Sequence, residues 1–238
     1  MKFFRICPGL VGKRLYKFQK EQSLFNKTFS EIIQSYRSDN ILLPGSWAEE
    51  IEKRGHEVFE IVYPDLVSQL KWVYENQKFN FTSKSYADQF LQILLDQITH
   101  FNPDVVFIYA GAVNYFPPNY IKKIKNRTKR GTRFIAYWGD EFINNISLKD
   151  FFKSYDLVLT STDTYTKMFK NAGFSNTKTL GNCFEPKIKF NQKLNKKYKF
   201  TFSGVSGYGY IDHIQRYEKL LKILERSDLR VWTSEPRN

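Results

Sequence analysis

Residues 86–109 read YADQFLQILLDQITHFNPDVVFIY, and this stretch contains both kinds of element from which the fold is built. In its first part, apolar side chains recur at three- and four-residue intervals, which is typical of an amphipathic helix over Tyr86 to His100. Its second part, Val105 to Tyr109, is short and continuously apolar, as in a strand that helices cover on both faces. The stretch therefore predicts a helix that leads into a buried parallel strand.

The same alternation of strands and helices continues in both directions along the chain. Short runs rich in β-branched and aromatic residues predict further strands at Phe3 to Cys7, Val58 to Val62, Arg133 to Trp138 and Leu157 to Thr160. Helices are predicted between them at Ser46 to Arg54 before Gly55, at Asn119 to Lys125, and at Thr164 to Ala172 before Gly173. The pattern predicts an α/β protein with a Rossmann-like domain of parallel strands over residues 1–180.

A second domain is predicted after residue 180. Residues 181–197 contain a proline, Asn-Lys clusters and no sustained period, which is typical of a linker. Residues 198–238 then resume with a strand, a glycine-rich turn, a helix over Asp212 to Arg226 and a strand over Leu229 to Thr233. This is the first βαβ unit of a second Rossmann-like domain, which usually needs on the order of 100 residues. We therefore expect the second domain to be incomplete here, and an exposed strand edge to favour association.

Composition narrows the class of protein. The chain has 37 Lys and Arg against 24 Asp and Glu, a formal charge of +13, which favours anionic partners unless the excess lies on a solvated surface. Its two cysteines, Cys7 and Cys183, are too few for a disulfide framework and lack metal-ligand spacing, which fits a reducing cytoplasm. The N-terminus lacks the apolar region of a signal peptide, and no apolar run is long enough to span a bilayer. A cytoplasmic protein is expected, with peripheral association at a membrane surface left open.

Several segments, taken in order, resemble one family. They are Ser46 to Val58, Ile98 to Phe107, Ala136 to Glu141 (AYWGDE), Tyr155 to Ser161 (YDLVLTS), and Phe200 to Gly204 (FTFSG) with Arg216 and Leu220 beyond it. Together they resemble the spore-maturation-protein-B-like (CgeB-like) glycosyltransferases, a branch of the GT-B superfamily. The resemblance implies transfer of a sugar from a nucleotide-sugar co-substrate to a carbohydrate, lipid-linked or protein acceptor. It also implies that donor binding lies largely in the C-terminal domain, of which this chain holds only the beginning.

Two acids are the candidate catalytic residues. Asp140 and Glu141 follow an apolar strand, at the edge where doubly wound folds build ligand crevices. Glycosyl transfer requires an acceptor hydroxyl that is positioned and often deprotonated, a role that Asp140 could fill. The alternative is that Asp140 caps the following segment while Glu141 is solvated. The chain has no Asp-x-Asp pair, so we expect a mechanism without a metal or a resident cofactor.

Other candidate binding residues lie in glycine-rich turns and aromatic stretches. The turn after the second-domain strand could hold the donor diphosphate through Gly204, Ser206, Gly207, Gly209 and Arg216, although a plain tight turn with a surface arginine is equally compatible. A loop containing Gly9 and Gly12 could admit the acceptor, or could simply be the exit from the first strand. Aromatic residues within Tyr109 to Tyr120 and at Tyr137 and Trp138 could stack on a sugar, although most aromatics are expected in the core.

Two other functions compete with glycosyl transfer. A truncated transferase could act as a non-catalytic module that binds a carbohydrate or an anionic polymer. The hypothesis of nucleic-acid binding rests on charge alone, because the sequence has no recognition-helix or RNA-binding motif. No nucleic-acid partner is therefore expected.

Overall fold

The computed structural model describes residues 1–7, 13–39, 46–78, 85–109, 118–139, 146–181, 198–203 and 214–232. The chain divides into two compact units, Met1–Lys187 and Ile188–Asn238. The first unit contains β1 (Lys2–Cys7), α1 (Lys13–Glu21), a 3-10 helix (Leu24–Asn26), α2 (Phe29–Ser38), α3 (Ser46–Lys53), β2 (Glu57–Val62), α4 (Leu66–Glu75), α5 (Tyr86–Phe101), β3 (Val105–Ile108), α6 (Pro118–Lys125), β4 (Arg133–Trp138), α7 (Ile146–Lys153), β5 (Leu157–Thr160), α8 (Asp163–Asn171) and β6 (Thr177–Thr179).

The first unit is built on one parallel sheet. Its six strands lie in the order β2-β1-β3-β4-β5-β6, and every neighbouring pair is parallel. The α/β fold with a Rossmann-like parallel sheet, predicted from the sequence, is thereby confirmed. From β1 the chain moves outward to β2 and then returns across β1 to β3, so strand order reverses between β1 and β3. In open α/β sheets, ligands bind outside the carboxyl ends of the strands at such a reversal.

One face of the sheet forms the main hydrophobic core. Alternate residues of each strand point to this face, as Phe4 and Ile6 of β1 do beside Val106 and Ile108 of β3. The helices α5 to α8 cover it with buried apolar side chains, which include Leu94, Ile98, Ile121, Phe152 and Phe169. Burial of such side chains is the main source of the stability of this unit.

The opposite face of the sheet holds a buried charged network. Arg5 of β1 and Glu60 of β2 are register partners, and their side chains form an ion pair with exposures of 1% and 0%. The other oxygen of Glu60 accepts a hydrogen bond from Nε of Arg37 in α2, at 2.8 Å. Arg37 also pairs with Glu52 of α3, at 3.2 Å. One carboxylate thus links β1, β2 and α2, and through Arg37 it is connected to α3.

A second buried polar cluster fixes the start of α4. Asp65 caps this helix by accepting hydrogen bonds from the backbone N–H groups of Val67 and Ser68. Its carboxylate also accepts hydrogen bonds from the Gln19 amide, at 2.8 Å, and from the Tyr36 hydroxyl, at 2.9 Å. Because these three side chains come from α1, α2 and the turn before α4, the cluster holds the three helices together.

The sequence predicted most, but not all, of these elements. All five predicted strands of the first unit are present within one residue of their expected ends, and Gly55 and Gly173 follow their helices at φ 78° and 98°. The helices α1, α2, α4 and α7 and the three-residue strand β6 were not predicted. The start of α8 is capped by Thr162, whose side chain accepts a hydrogen bond from the Tyr165 N–H.

The second unit has fewer described elements. Its strands β7 (Thr201–Ser203) and β8 (Arg230–Trp232) pair in parallel, and α9 (Ile214–Leu224) lies between them in the chain. This is a βαβ arrangement, as predicted for the start of the second domain; the domain boundaries at 180 and 198 remain predictions. In the ranges given above, no helix combines the length and the apolar character that crossing a membrane requires.

Substitution of Glu60 by Ala should destabilise the first unit by about 3–5 kcal/mol, because it leaves two buried arginines without their shared counter-charge. Urea denaturation followed by circular dichroism measures the change. Glu57→Ala on the same strand is the matched control: this carboxylate is 66% exposed in its pair with Lys2, so its loss should cost less than about 1 kcal/mol. An equal loss in the free energy of unfolding for the two variants would show that the buried network stabilises the unit no more than the exposed ion pair does.

Cys7 should be unreactive in the folded protein. Burial raises the pKa of the Cys7 thiol, so the reactive thiolate is scarce near neutral pH, and the side chain is inaccessible as well. In a Cys183→Ser variant, a disulfide reagent such as dithionitrobenzoate should label Cys7 only after guanidinium unfolds the protein. Rapid labelling under native conditions would contradict the buried position of β1.

Candidate functional site

The candidate site lies at the carboxyl ends of β1, β3 and β4, where the strand order reverses. The residues described there are Cys7, Tyr109 and Gly139, each at or just beyond the end of its strand. Parallel strands end at the same edge of a sheet, so these three residues lie along one edge.

Three aromatic side chains converge at this edge, and we call them the aromatic platform: Trp47, Tyr109 and Tyr137. The rings of Tyr109 and Tyr137 stack with centroids 5.0 Å apart and planes 9° apart. The Trp47 ring meets both edge-on, at 6.0 Å from Tyr109 and 6.3 Å from Tyr137. Tyr137 is buried, whereas Trp47 and Tyr109 are partly exposed. The platform therefore has a packed base and two rings that solvent can reach.

The fold fixes each ring of the platform in a different way. Tyr137 is a residue of β4, and Tyr109 directly follows the neighbouring strand β3, so sheet pairing sets their spacing. Trp47 is in the first turn of α3, where its ring packs edge-on against Phe107, at 5.5 Å. The guanidinium carbon of Arg5 lies over the Trp47 ring, 5.6 Å from its centroid. The buried charged network thus extends to the platform through a cation–π contact.

The end of β4 is tied to the neighbouring strand. The Ser161 hydroxyl donates a hydrogen bond of 2.8 Å to the backbone carbonyl of Gly139. Next to it, the hydroxyl groups of Thr160, Thr166 and Thr179 form a chain with separations of 2.6 and 2.8 Å. The Ser161 hydrogen bond restrains the backbone at Gly139, the residue before Asp140, and the hydroxyl chain links β5, α8 and β6.

Most of the binding residues predicted from the sequence lie outside the described residues: Gly9, Gly12, Asp140, Glu141, Gly204, Ser206, Gly207 and Gly209. Arg216 is described, and it is exposed on α9. Of the aromatics named from the sequence, Tyr109 and Tyr137 belong to the platform, whereas Trp138 packs in the main core against Phe152. The functional roles of these residues therefore remain predictions. Trp138 is a core residue, as expected for most of the aromatics.

Trp47 is the site residue that sequence reasoning missed. The segment Ser46 to Arg54 was predicted as a helix, and its tryptophan could have been placed near the strand ends only with the pairing of β1, β3 and β4 known. An aromatic residue in the first turn of a helix is the only signal the sequence offers.

The platform can bind a flat or weakly polar molecular face. Aromatic rings contribute large apolar area and stack on planar groups or on the C–H face of a ring. Titratable chemistry is limited among the described neighbours: the Cys7 thiol, whose pKa burial raises, is not a suitable nucleophile. Within the described ranges, no group of three His, Cys, Asp or Glu side chains could hold a metal ion.

Comparison with known proteins yields structural likenesses only. No model of a protein family matches the sequence, and a search of curated proteins finds no match. Among solved structures, the chain is similar to the apo form of the lipopolysaccharide outer core galactosyltransferase WaaB, with a TM-score of 0.44 and 13% identity over 98% of this chain and 69% of that chain. It is also similar to an alpha-glucosyltransferase in complex with UDP and a 13-mer DNA containing a central A:G mismatch. In that case the TM-score is 0.30 and the identity 16%, over 68% of this chain and 37% of that chain. At these scores and identities, neither likeness supports a functional assignment.

Proposed function

We propose that this chain is the acceptor-side domain of a GT-B glycosyltransferase with the first part of its donor domain, and that the complete protein transfers a sugar from a nucleotide-sugar to an acceptor hydroxyl. The observation that carries the proposal is the aromatic platform at the strand-order reversal of a parallel sheet. Sugar rings present C–H faces to such surfaces, and this sheet edge is where doubly wound folds bind ligands.

The proposed reaction takes place directly beyond Gly139. Asp140 accepts the proton of the acceptor hydroxyl while the hydroxyl oxygen attacks the anomeric carbon of the donor sugar. The bond between that carbon and the diphosphate oxygen breaks, and the diphosphate leaves with its electron pair. The hydrogen bond from Ser161 to Gly139 supports this role, because it restrains the backbone immediately before Asp140. Glu141 is proposed as the second acid of the site.

Donor binding is proposed for the second unit. Gly204, Ser206, Gly207 and Gly209 would present backbone N–H groups to the diphosphate, and Arg216 would supply positive charge. The formal charge of +13 favours such an anionic co-substrate. Membership of the CgeB-like branch, the boundaries at residues 180 and 198, metal independence and a cytoplasmic location belong to the same proposal.

A non-catalytic carbohydrate-binding module is the second candidate. The aromatic platform favours it, because stacking on a sugar requires only Trp47, Tyr109 and Tyr137, whereas transfer also requires Asp140 and the turn at residues 204–209. The two candidates share sugar binding and differ in whether a donor nucleotide binds.

Substitution of Trp47 by Ala should weaken binding of a glycan ligand about three- to tenfold, because one stacking face of the platform is lost. A glycan array identifies the ligand, and titration calorimetry with wild-type and variant protein measures the affinity. Tyr86→Ala is the matched control, since Tyr86 is 76% exposed and lies outside the platform. Unchanged glycan affinity in Trp47→Ala, with an unchanged melting temperature, would exclude the platform as the sugar site.

A nucleotide-sugar that binds the folded chain should raise its melting temperature. At a ligand concentration one hundred times Kd, binding adds about 2.7 kcal/mol, which is on the order of 5–10 °C for a chain of this size. A thermal-shift screen with UDP-, GDP- and TDP-sugars and the free nucleotides measures the effect.

Asp140→Asn separates the roles of the two units. The variant should still show the rise in melting temperature that a nucleotide-sugar causes, but it should no longer transfer the sugar to the acceptor. If the wild-type protein binds a glycan but no nucleotide-sugar raises its melting temperature, the non-catalytic module is favoured. If it neither binds a glycan nor shows a rise in melting temperature with any nucleotide-sugar, both candidates are refuted.

A further inference from the structure

The helix α4 exposes an apolar stripe on the side that faces away from the sheet. Leu66, Leu70 and Tyr74 recur at four-residue intervals, and their exposures are 52%, 47% and 70%. The opposite side of the same helix is buried, and Gln69 and Trp72 lie on it. Because the buried side already anchors α4, the exposed stripe is not needed for folding of this unit.

The stripe forms one wall of an apolar groove of about 460 Å³, which we call the α4 groove; its lining residues are Phe25, Leu66, Val67, Leu70, Lys71, Val73 and Tyr74. Phe25, from the 3-10 helix, is 45% exposed. Tyr16 of α1 extends the apolar surface beyond it, with its ring 6.4 Å from that of Phe25 and 61% exposed. Clustering of large exposed apolar residues marks an interaction surface, whereas single ones do not.

Lysine side chains lie beside this apolar surface. Residues 15–27 contain three lysines, Lys17, Lys20 and Lys27, and a single acid, Glu21. The Glu21 carboxylate pairs with Lys17 at 3.6 Å, and Lys20 lies one helical turn after Tyr16 on the same face of α1. Lys71 lines the groove itself. Two acids adjoin the stripe in the chain and both have partners: Asp65 caps α4, and Glu75 accepts a hydrogen bond of 2.8 Å from the backbone N–H of Phe29.

We propose that the α4 groove and its lysine rim dock onto a bilayer that contains anionic phospholipid. Leucine and phenylalanine side chains would enter the boundary of the acyl chains, and the tyrosines would lie at the level of the headgroups. Lys20 and Lys71 would then lie next to the lipid phosphates. A surface that is apolar in its centre and basic at its edge matches this arrangement of a membrane interface.

Charge argues against a second copy of the chain as the occupant. In a symmetric dimer the same patch faces itself, so the lysine rims of both copies would be brought together. Such juxtaposition of like charges is unfavourable, whereas an anionic bilayer neutralises both lysines. The proposal concerns a different surface from the aromatic platform and does not depend on glycosyl transfer.

Vesicle flotation with the full 238-residue chain tests the proposal. The protein should float with vesicles of phosphatidylcholine mixed with phosphatidylglycerol, and much less with phosphatidylcholine alone. Lys20→Gln and Lys71→Gln should each weaken partitioning about fivefold. Leu70→Ala should weaken it about tenfold, because part of a leucine side chain no longer leaves water. All three positions are at the surface, so circular dichroism should show unchanged melting.

Matched controls are Lys122→Gln and Tyr86→Ala, which alter an exposed lysine on α6 and an exposed tyrosine outside the groove. Both should bind vesicles as the wild type does. No flotation of the wild type with anionic vesicles would overturn the proposal, as would equal losses in the control variants. Light scattering that shows a dimer dependent on Leu70, with no vesicle binding, would assign the groove to self-association instead.

Discussion

The buried carboxylate of Glu60 is the constraint on which one face of the sheet depends. It lies between the guanidinium groups of Arg5 and Arg37, from β1 and α2. A charge in that position is tolerated only while both partners are in place, because removing any one leaves another buried and uncompensated. The network therefore requires a single register for β1 against β2. It also connects the pair to α3, since Glu52 of that helix pairs with Arg37.

The same network reaches the candidate site. Arg5 contacts Glu60 with its guanidinium and lies over the Trp47 ring, so a core charge supports an aromatic residue at the edge of the sheet. Packing of the Trp47 ring against Phe107 and the two tyrosines completes the arrangement. The platform is thus held by strands on one side and by a buried cation on the other. A rigid base of this kind reduces the loss of side-chain freedom when a ligand stacks on it.

Sequence patterns predicted five of the six strands of the sheet, but they did not predict how the side chains of the site come together. Strands such as Val105–Ile108 were predictable because they are continuously apolar and follow a strongly periodic helix. The helix α1 was missed because its nine residues, KRLYKFQKE, are mostly charged or polar, and it buries Leu15 and Gln19 only because other elements pack on them. Arg5 is far from its partner Glu60 in the chain, and Trp47 is far from Tyr137. Their contacts depend on which strands pair and on where the helices pack, and local patterns along the chain do not give either.

The most direct test of the central claim is hydrogen–deuterium exchange of the full chain with and without the glycan that it binds. The account predicts slower exchange in peptides that cover the carboxyl ends of β1, β3 and β4 and the first turn of α3, because a ligand on the platform restricts opening there. Exchange that is unchanged in those peptides but slowed along other parts of the chain would contradict the assignment of the ligand site to this edge of the sheet.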